Sequence, residues 1–299
     1  MTAVLLNPWT GVDDMFSHGF MAYAFVAGTV IAISAGLVGY FVVLRGQVFT
    51  GDALSHFAFT GALAALVVGI DLRFGLFFSC VAVGLVMGSL GRLGRADDVI
   101  IGNVFAWLLG LGVLFLGVYS TSRGAGNGTA SVNVLFGSIF GLTKAQALVD
   151  VLVGVGIVFS MIVIARPLLF ASLDEAVALA RGVPVRFLGI GFLVLVGLTA
   201  GEATQAVGAL MLLGLLAASA GAAQRLVVRP YRAMWLSIGL AVFSMWLGLT
   251  LSYAFVVLPP SFSILAVATS CYFASWCATA LRDRRAIKFQ RRHSVEQWT

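Results

Sequence analysis

Charge is what this sequence has least of. Only 10% of its 299 residues are Asp, Glu, Lys or Arg, whereas soluble domains carry roughly 25% to keep their surfaces in water. That scarcity, with 61% hydrophobic residues and a mean hydropathy of +1.05, excludes a water-soluble fold of any size. Cysteine is also scarce. Cys80, Cys271 and Cys277 all lie in apolar segments and form no CxxC pair, so neither a disulfide framework nor a zinc–thiolate site is indicated. Three histidines and the absence of a Walker A sequence leave little room for a metalloprotease or for ATP hydrolysis by this chain itself. No nucleophile stands beside a base, which excludes the usual hydrolase patterns. The N-terminal MTAVLLNPWTGVDD has no basic stretch before its apolar part, so no cleaved signal peptide is expected.

What is abundant is apolar length and glycine. A membrane crossing takes about 20 predominantly apolar residues. Nine such stretches are readable: 20–44, 51–70, 73–91, 98–119, 145–165, 186–201, 205–224, 231–251 and 260–281, the second and sixth being the weakest. The expected fold is therefore an all-α integral membrane bundle of eight to nine transmembrane helices. The 35 glycines suit close helix–helix approach in a bilayer. Before the bundle stands an N-terminal segment, 1–19, and after it a basic tail, 282–299. The net charge of +6 does not gather on one face, so nucleic acid is not an expected partner.

Nine spans place the basic residues asymmetrically. With the C-terminus in the cytoplasm, only Arg73, Arg123 and Lys144 of the eighteen basic residues face outward. Cytoplasmic loops carry an excess of Lys and Arg, so this count predicts the N-terminus outside and the C-terminus inside.

Two connections exceed a turn. The outer one, 120–144, opens with glycine-rich STSRGAGNGTAS, which contains the sequon Asn127-Gly128-Thr129. It continues as VNVLFGSIFGL, about 11 residues, too short to span and better suited to a re-entrant or interfacial segment. The inner one reads RPLLFASLDEAVALARGVPV. Ser172 followed by Glu175 is a capping box that predicts a helix start, and Gly182 with Pro184 just beyond predicts its stop. This charged helix, 172–182, either tidies a loop or docks a cytoplasmic partner.

Ionisable residues at membrane depth are expensive and are site candidates by default. Asp52 and His56 are the sharpest pair, four residues apart and so on one helical face. Carboxylate plus imidazole suits a borderline divalent ion such as Zn²⁺ or Mn²⁺, though two ligands do not complete a tetrahedral site. A second copy across a dimer axis supplies two more. The plainer reading has Asp52 capping the helix and His56 holding a buried hydrogen bond, and spacing alone favours it. Glu202 reads as a solvated turn residue at an outer boundary or as a cation-attracting entrance. Asp150 is expected to be wet, one helical turn from the interface. Asp97 and Asp98 suit the N-terminus of the fourth span. His18 and His293 read as incidental.

The segment VLRGQVFTGDALSHFAFTGALAAL resembles the signature of the membrane permeases of bacterial ABC importers for zinc, manganese and iron. There a basic residue ends the first span and a G-D-x-L-x-H-A-like motif opens the second. SVNVLFGSIFGLTKAQAL is similar to their outer L-F-G segment, and ASLDEAVALARGVPV to their cytoplasmic coupling helix. QAVGALMLLGLLAASAGAAQRL and LSYAFVVLPPSFSILAVAT match two later stretches, so the resemblance runs in order from about residue 20 to 281. It implies a vitamin-B12-importer-like (type II) permease in the bacterial inner membrane, working as a homodimer. The same resemblance implies a separate cytoplasmic ABC ATPase dimer as the source of energy and an extracytoplasmic metal-binding protein that delivers the ion.

On this resemblance Asp52 and His56 line the translocation path. The cargo is Zn²⁺ first and Mn²⁺ next, with no permanently bound cofactor. Ser172, Asp174, Glu175, Arg181 and Gly182 fall in the coupling element, and Asp174 and Glu175 dock into the ATPase. The chain departs from the pattern at Ala217-Ala218-Ser219-Ala220, where the family carries proline, which predicts a straighter helix. The Arg-rich tail has no counterpart and suits anionic lipid headgroups. The alternative is a secondary transporter driven by an ion gradient, which needs an internal repeat that is not visible here.

Overall fold

The computed structural model describes residues 19–92, 94, 95, 97–123, 137, 139–206, 208, 212–255 and 257–296, with the side chains of 122, 123, 205, 206 and 283–296 excepted. The N-terminal segment with His18, the sequon at 127–129, and the side chains of the basic tail with His293 lie outside the described residues.

Ten α-helices are present among the described residues: α1 Gly19–Leu44, α2 Val48–Val68, α3 Leu72–Leu90, α4 Asp98–Arg123, α5 Lys144–Leu173, α6 Glu175–Ala180, α7 Val185–Ala206, α8 Ser219–Leu226, α9 Pro230–Ala254 and α10 Pro260–Glu296. Eight of them are long and apolar enough to cross a membrane; α6 and α8 are not. With its exposed apolar exterior (Trp107, Phe159, Ile162 and Trp235 among others), the bundle is a multi-pass membrane protein.

The predicted seventh span, 205–224, is not one long helix. Here α7 runs on to Ala206 and closes at Gly208, whose φ of 92° is open to glycine at little cost. The chain returns through a π-helical turn, Gly214–Ala218, into α8. This short return lies alongside α10: Gly214 meets Leu265, and Arg225 stacks over Tyr272 at 5.3 Å. Eight helices among the described residues are thus long enough to cross, and the expected seventh span is replaced by this broken return. The missing proline does not straighten the segment either. Its backbone leaves the α-helical ladder at 214–218, and Ser219 bonds back to the Leu215 carbonyl at 2.6 Å.

The core is built around α1, where small residues let neighbours in. Gly36 faces the α9 backbone at Ser237, and the Ser237 hydroxyl donates to the Gly36 carbonyl at 2.7 Å. Further along, Trp246 of α9 donates to Thr29 at 2.9 Å, so α1 and α9 run antiparallel. Helices α3 and α2 meet at Gly61 and Gly75, and α7 passes α3 at Gly197 and Cys80. The apolar end of the 120–144 connection forms a 3₁₀ turn, Ile139–Gly141. Ile139 is fully buried, and Phe140 packs edge-on against Phe20 at the start of α1.

Candidate functional site

Helix α2 starts at Val48, not at 51, with Gln47 in the cap position and no side-chain cap bond. Asp52 therefore lies inside the helix, and its predicted role as a cap residue falls away. The His56 Nε2 and Asp52 Oδ1 atoms stand 4.0 Å apart on one face, with side chains 19% and 33% exposed respectively. His56 packs edge-on against Phe105 of α4, ring centroids 5.3 Å apart, which limits the imidazole to one side. The pair is partly exposed rather than buried. Among the described residues no group of three or more His, Cys, Asp or Glu is arranged to hold a metal. Asp52 and His56 thus place one carboxylate and one imidazole together with no third such group beside them among the described residues.

Arg45, at the α1–α2 turn, connects this helix to the opposite side of the chain. It is 8% exposed, donates to Gln47 at 3.0 Å and to Ser172 at 3.5 Å, and lies over the Phe192 ring at 5.4 Å. Burial, and then the neighbouring Arg95, pull its guanidinium down to about 10, while Glu175 pulls back upward. It stays a cation at neutral pH. Arg95 in turn reaches Glu175 at 3.8 Å.

The helix expected to couple to an ATPase differs from its expected form. Helix α5 continues through Pro167 to Leu173, so Ser172 belongs to its last turn. The Ser172 hydroxyl donates to the Leu168 carbonyl at 2.6 Å, which takes it away from any cap. Asp174 is the actual N-cap. Its backbone is extended, and its carboxylate accepts from the Val177 N–H at 3.0 Å. The helix is then six residues, Glu175–Ala180, closed by Arg181 and by Gly182 at φ 77°. Arg181 is exposed; Glu175 is tied within the chain to Arg95. Beside Asp174 and Arg181, this end also exposes apolar side chains: Leu173, Val177, Leu179 and Phe187.

Two residues are misplaced by the sequence reading. Glu202 is neither a solvated turn nor an open entrance; it lies inside α7 and is fully buried. Asp150, expected to be wet, is also fully buried on α5. The capping box Thr143–Gln146 starts α5 at Lys144. Asp150 is therefore in the second turn, on the side that packs against α1 and α7.

The ABC-3 family, the ABC 3 transport family, matches residues 17–279. The chain is 29% identical to the manganese import system permease protein ScaB of Streptococcus parasanguinis, over 92% of this chain and 96% of that protein. It is 28% identical to a probable iron transport system membrane protein of Haemophilus influenzae, over 84% and 94%. Among solved structures, PsaBC from Streptococcus pneumoniae in complex with Fab superposes with a TM-score of 0.78 at 26% identity, covering 90% of this chain and 95% of that one. The fold is that of a type II ABC importer permease, and with nearly its whole span matched, this chain belongs to the ABC 3 transport family.

Proposed function

We propose that this chain is the permease subunit of an ATP-driven importer for a divalent transition metal, working as a homodimer. The observation that carries the reading is the Asp52–His56 pair: two ligand types on one face, partly exposed, with no third ligand near them among the described residues. A second copy related by a two-fold axis brings two carboxylates and two imidazoles together, a ligand set that binds a divalent ion without thiolate. Such a site holds an ion weakly enough to release it. Among metals, the relatives' names put Mn²⁺ ahead of Zn²⁺, and a mixed carboxylate–imidazole set suits Mn²⁺ as well.

Energy enters from a separate ABC ATPase at the α6 end. The apolar patch of Leu173, Val177, Leu179 and Phe187 lies beside the short capped helix and is the surface that docks it. Arg45 and Arg95 carry displacement of α6 toward α2 through Ser172 and Glu175. An extracytoplasmic metal-binding protein delivers the ion at the opposite end, where the chain holds few basic residues. The C-terminus then faces the cytoplasm.

The test is ATP-dependent uptake of radioactive manganese and zinc into proteoliposomes containing the permease, its ATPase and its delivery protein. Uptake of one metal that requires ATP and is lost in His56→Ala and Asp52→Ala supports the reading. Uptake unchanged in both variants removes the pair from the path, and uptake without ATP points to a gradient-driven transporter.

A further inference from the structure

Asp150 and Glu202 are two fully buried carboxylates on helices that pack against each other, α5 and α7. Glu202 rests its Oε1 on Gly154, one helical turn beyond Asp150, where any side chain would collide with it. The two acids are thereby within electrostatic reach of each other. Their oxygens are almost bare. Asp150 Oδ1, Asp150 Oδ2 and Glu202 Oε1 are buried without a hydrogen-bond partner. The fourth, Glu202 Oε2, has only the Ser34 hydroxyl at 3.3 Å among the described residues, and that hydroxyl also reaches the Ile31 carbonyl at 2.9 Å. The cation within electrostatic reach is Arg73 at the start of α3, which makes no ion pair with either acid among the described residues.

Two negative charges do not persist dry and unpaired, because desolvation costs several kcal/mol per ion. Polar atoms buried in this way call for a partner. The geometry points to a second, occluded cation site formed by Asp150, Glu202 and the Ser34 hydroxyl, which takes a hard divalent ion of the Mn²⁺, Mg²⁺ and Ca²⁺ class. The donor set is entirely oxygen, with neither imidazole nor thiolate, which is the preference of that class rather than of Zn²⁺. Two carboxylates cancel a divalent charge, and one ion satisfies oxygens from α1, α5 and α7 at once. Gly154 is the residue that makes room for the carboxylate. The site shares no residue with Asp52 and His56, so its occupancy is measurable whether or not that pair carries cargo.

The experiment is a titration of the purified full-length permease in lipid nanodiscs with Mn²⁺ alone, followed by electron paramagnetic resonance. Wild type, Glu202→Gln, Asp150→Asn and His56→Ala are compared, with Mg²⁺ and Ca²⁺ as competitors. We expect one class of bound Mn²⁺ that survives His56→Ala and weakens roughly tenfold or more in Glu202→Gln and in Asp150→Asn. Displacement by Ca²⁺ or Mg²⁺ is expected for that class. Equal Mn²⁺ affinity and stoichiometry in wild type and both carboxylate variants overturns the site. A measurement on wild type alone guards against variants that fold poorly: the infrared bands of the carboxyl groups. Loss of a protonated-carboxyl band on adding Mn²⁺ supports the site. A protonated-carboxyl band that Mn²⁺ leaves unmoved shows that protons neutralise the pair, and overturns it. Loss of uptake in His56→Ala, by contrast, bears only on the proposed import function.

Discussion

Arg45 donates to Ser172 at 3.5 Å across 127 positions of sequence, joining the turn before α2 to the last turn of α5. The same guanidinium holds Gln47 at 3.0 Å and covers Phe192. Arg45→Met therefore removes a cation whose partners are nearly buried, and leaves the Gln47 amide oxygen without its donor. The expected loss of stability is about 1–3 kcal/mol, read as a lower thermal midpoint of the purified protein. Arg45→Lys keeps the charge but not the planar fork, and is expected to fall between wild type and Met. If Arg45 also transmits α6 displacement, metal moved per ATP falls in Arg45→Met by more than the lost folded fraction explains. An unchanged midpoint in Arg45→Met contradicts the hub.

The short helix α6 offers a direct contrast between two candidate caps. Asp174 accepts from the Val177 N–H, whereas Ser172 is occupied by Leu168. Asp174→Ala is expected to cost about 1 kcal/mol of local stability, seen as faster amide exchange across 175–180. Ser172→Ala keeps that cap and is expected to leave exchange in α6 near the wild-type rate. The reverse ranking restores Ser172 as the cap.

These contrasts mark how far the sequence carries. The long spans were legible because about 20 apolar residues in a row have few other uses, and α4 starts at Asp98 as the dipole argument expects. Asp52 and His56 were legible because helical spacing alone puts them on one face. Glu202 and Asp150 were not, because polar neighbours such as Thr204, Gln205 and Lys144 make both look like helix ends. Their burial comes from three helices converging. The signals that point inward are the small residues around them, Gly154 opposite and Ala200, Gly201 and Ala203 alongside. The π-turn at Gly214–Ala218 left no hydropathy signal at all, since a register change of one residue does not alter an apolar run.

Glycine spacing predicts opposite signs for one and the same substitution. A Cβ on Gly75 meets the Gly61 carbonyl and the Ala65 Cβ, neither of which is the end of a flexible side chain that can yield. Gly75→Ala is expected to destabilise by about 1–3 kcal/mol through overpacking. A Cβ on Gly156 of α5 meets nothing within 4 Å. Gly156→Ala is expected to be neutral or to stabilise by up to about 1 kcal/mol, since alanine is the better helix former. Thermal unfolding of both variants in one detergent settles the comparison. Equal effects would remove the close α2–α3 approach from the account.

If residue 56 ligates the transported ion, its donor atom sets the choice of metal. His56 places an imidazole nitrogen beside Asp52, and Phe105 packs against its ring from one side. Replacing it by aspartate turns the pair into an all-oxygen set, while replacing it by cysteine introduces a thiolate. Oxygen donors suit Mn²⁺, and thiolates strongly favour Zn²⁺. Competition uptake with both metals present is therefore expected to move in opposite directions. His56→Asp keeps more manganese than zinc transport, and His56→Cys shifts the ratio toward zinc by roughly tenfold or more, with slower release from the tighter site. In the proposed homodimer the shift is steep, because each substitution changes two ligands at once. Two variants with the wild-type metal ratio would mean that residue 56 does not set the choice of metal.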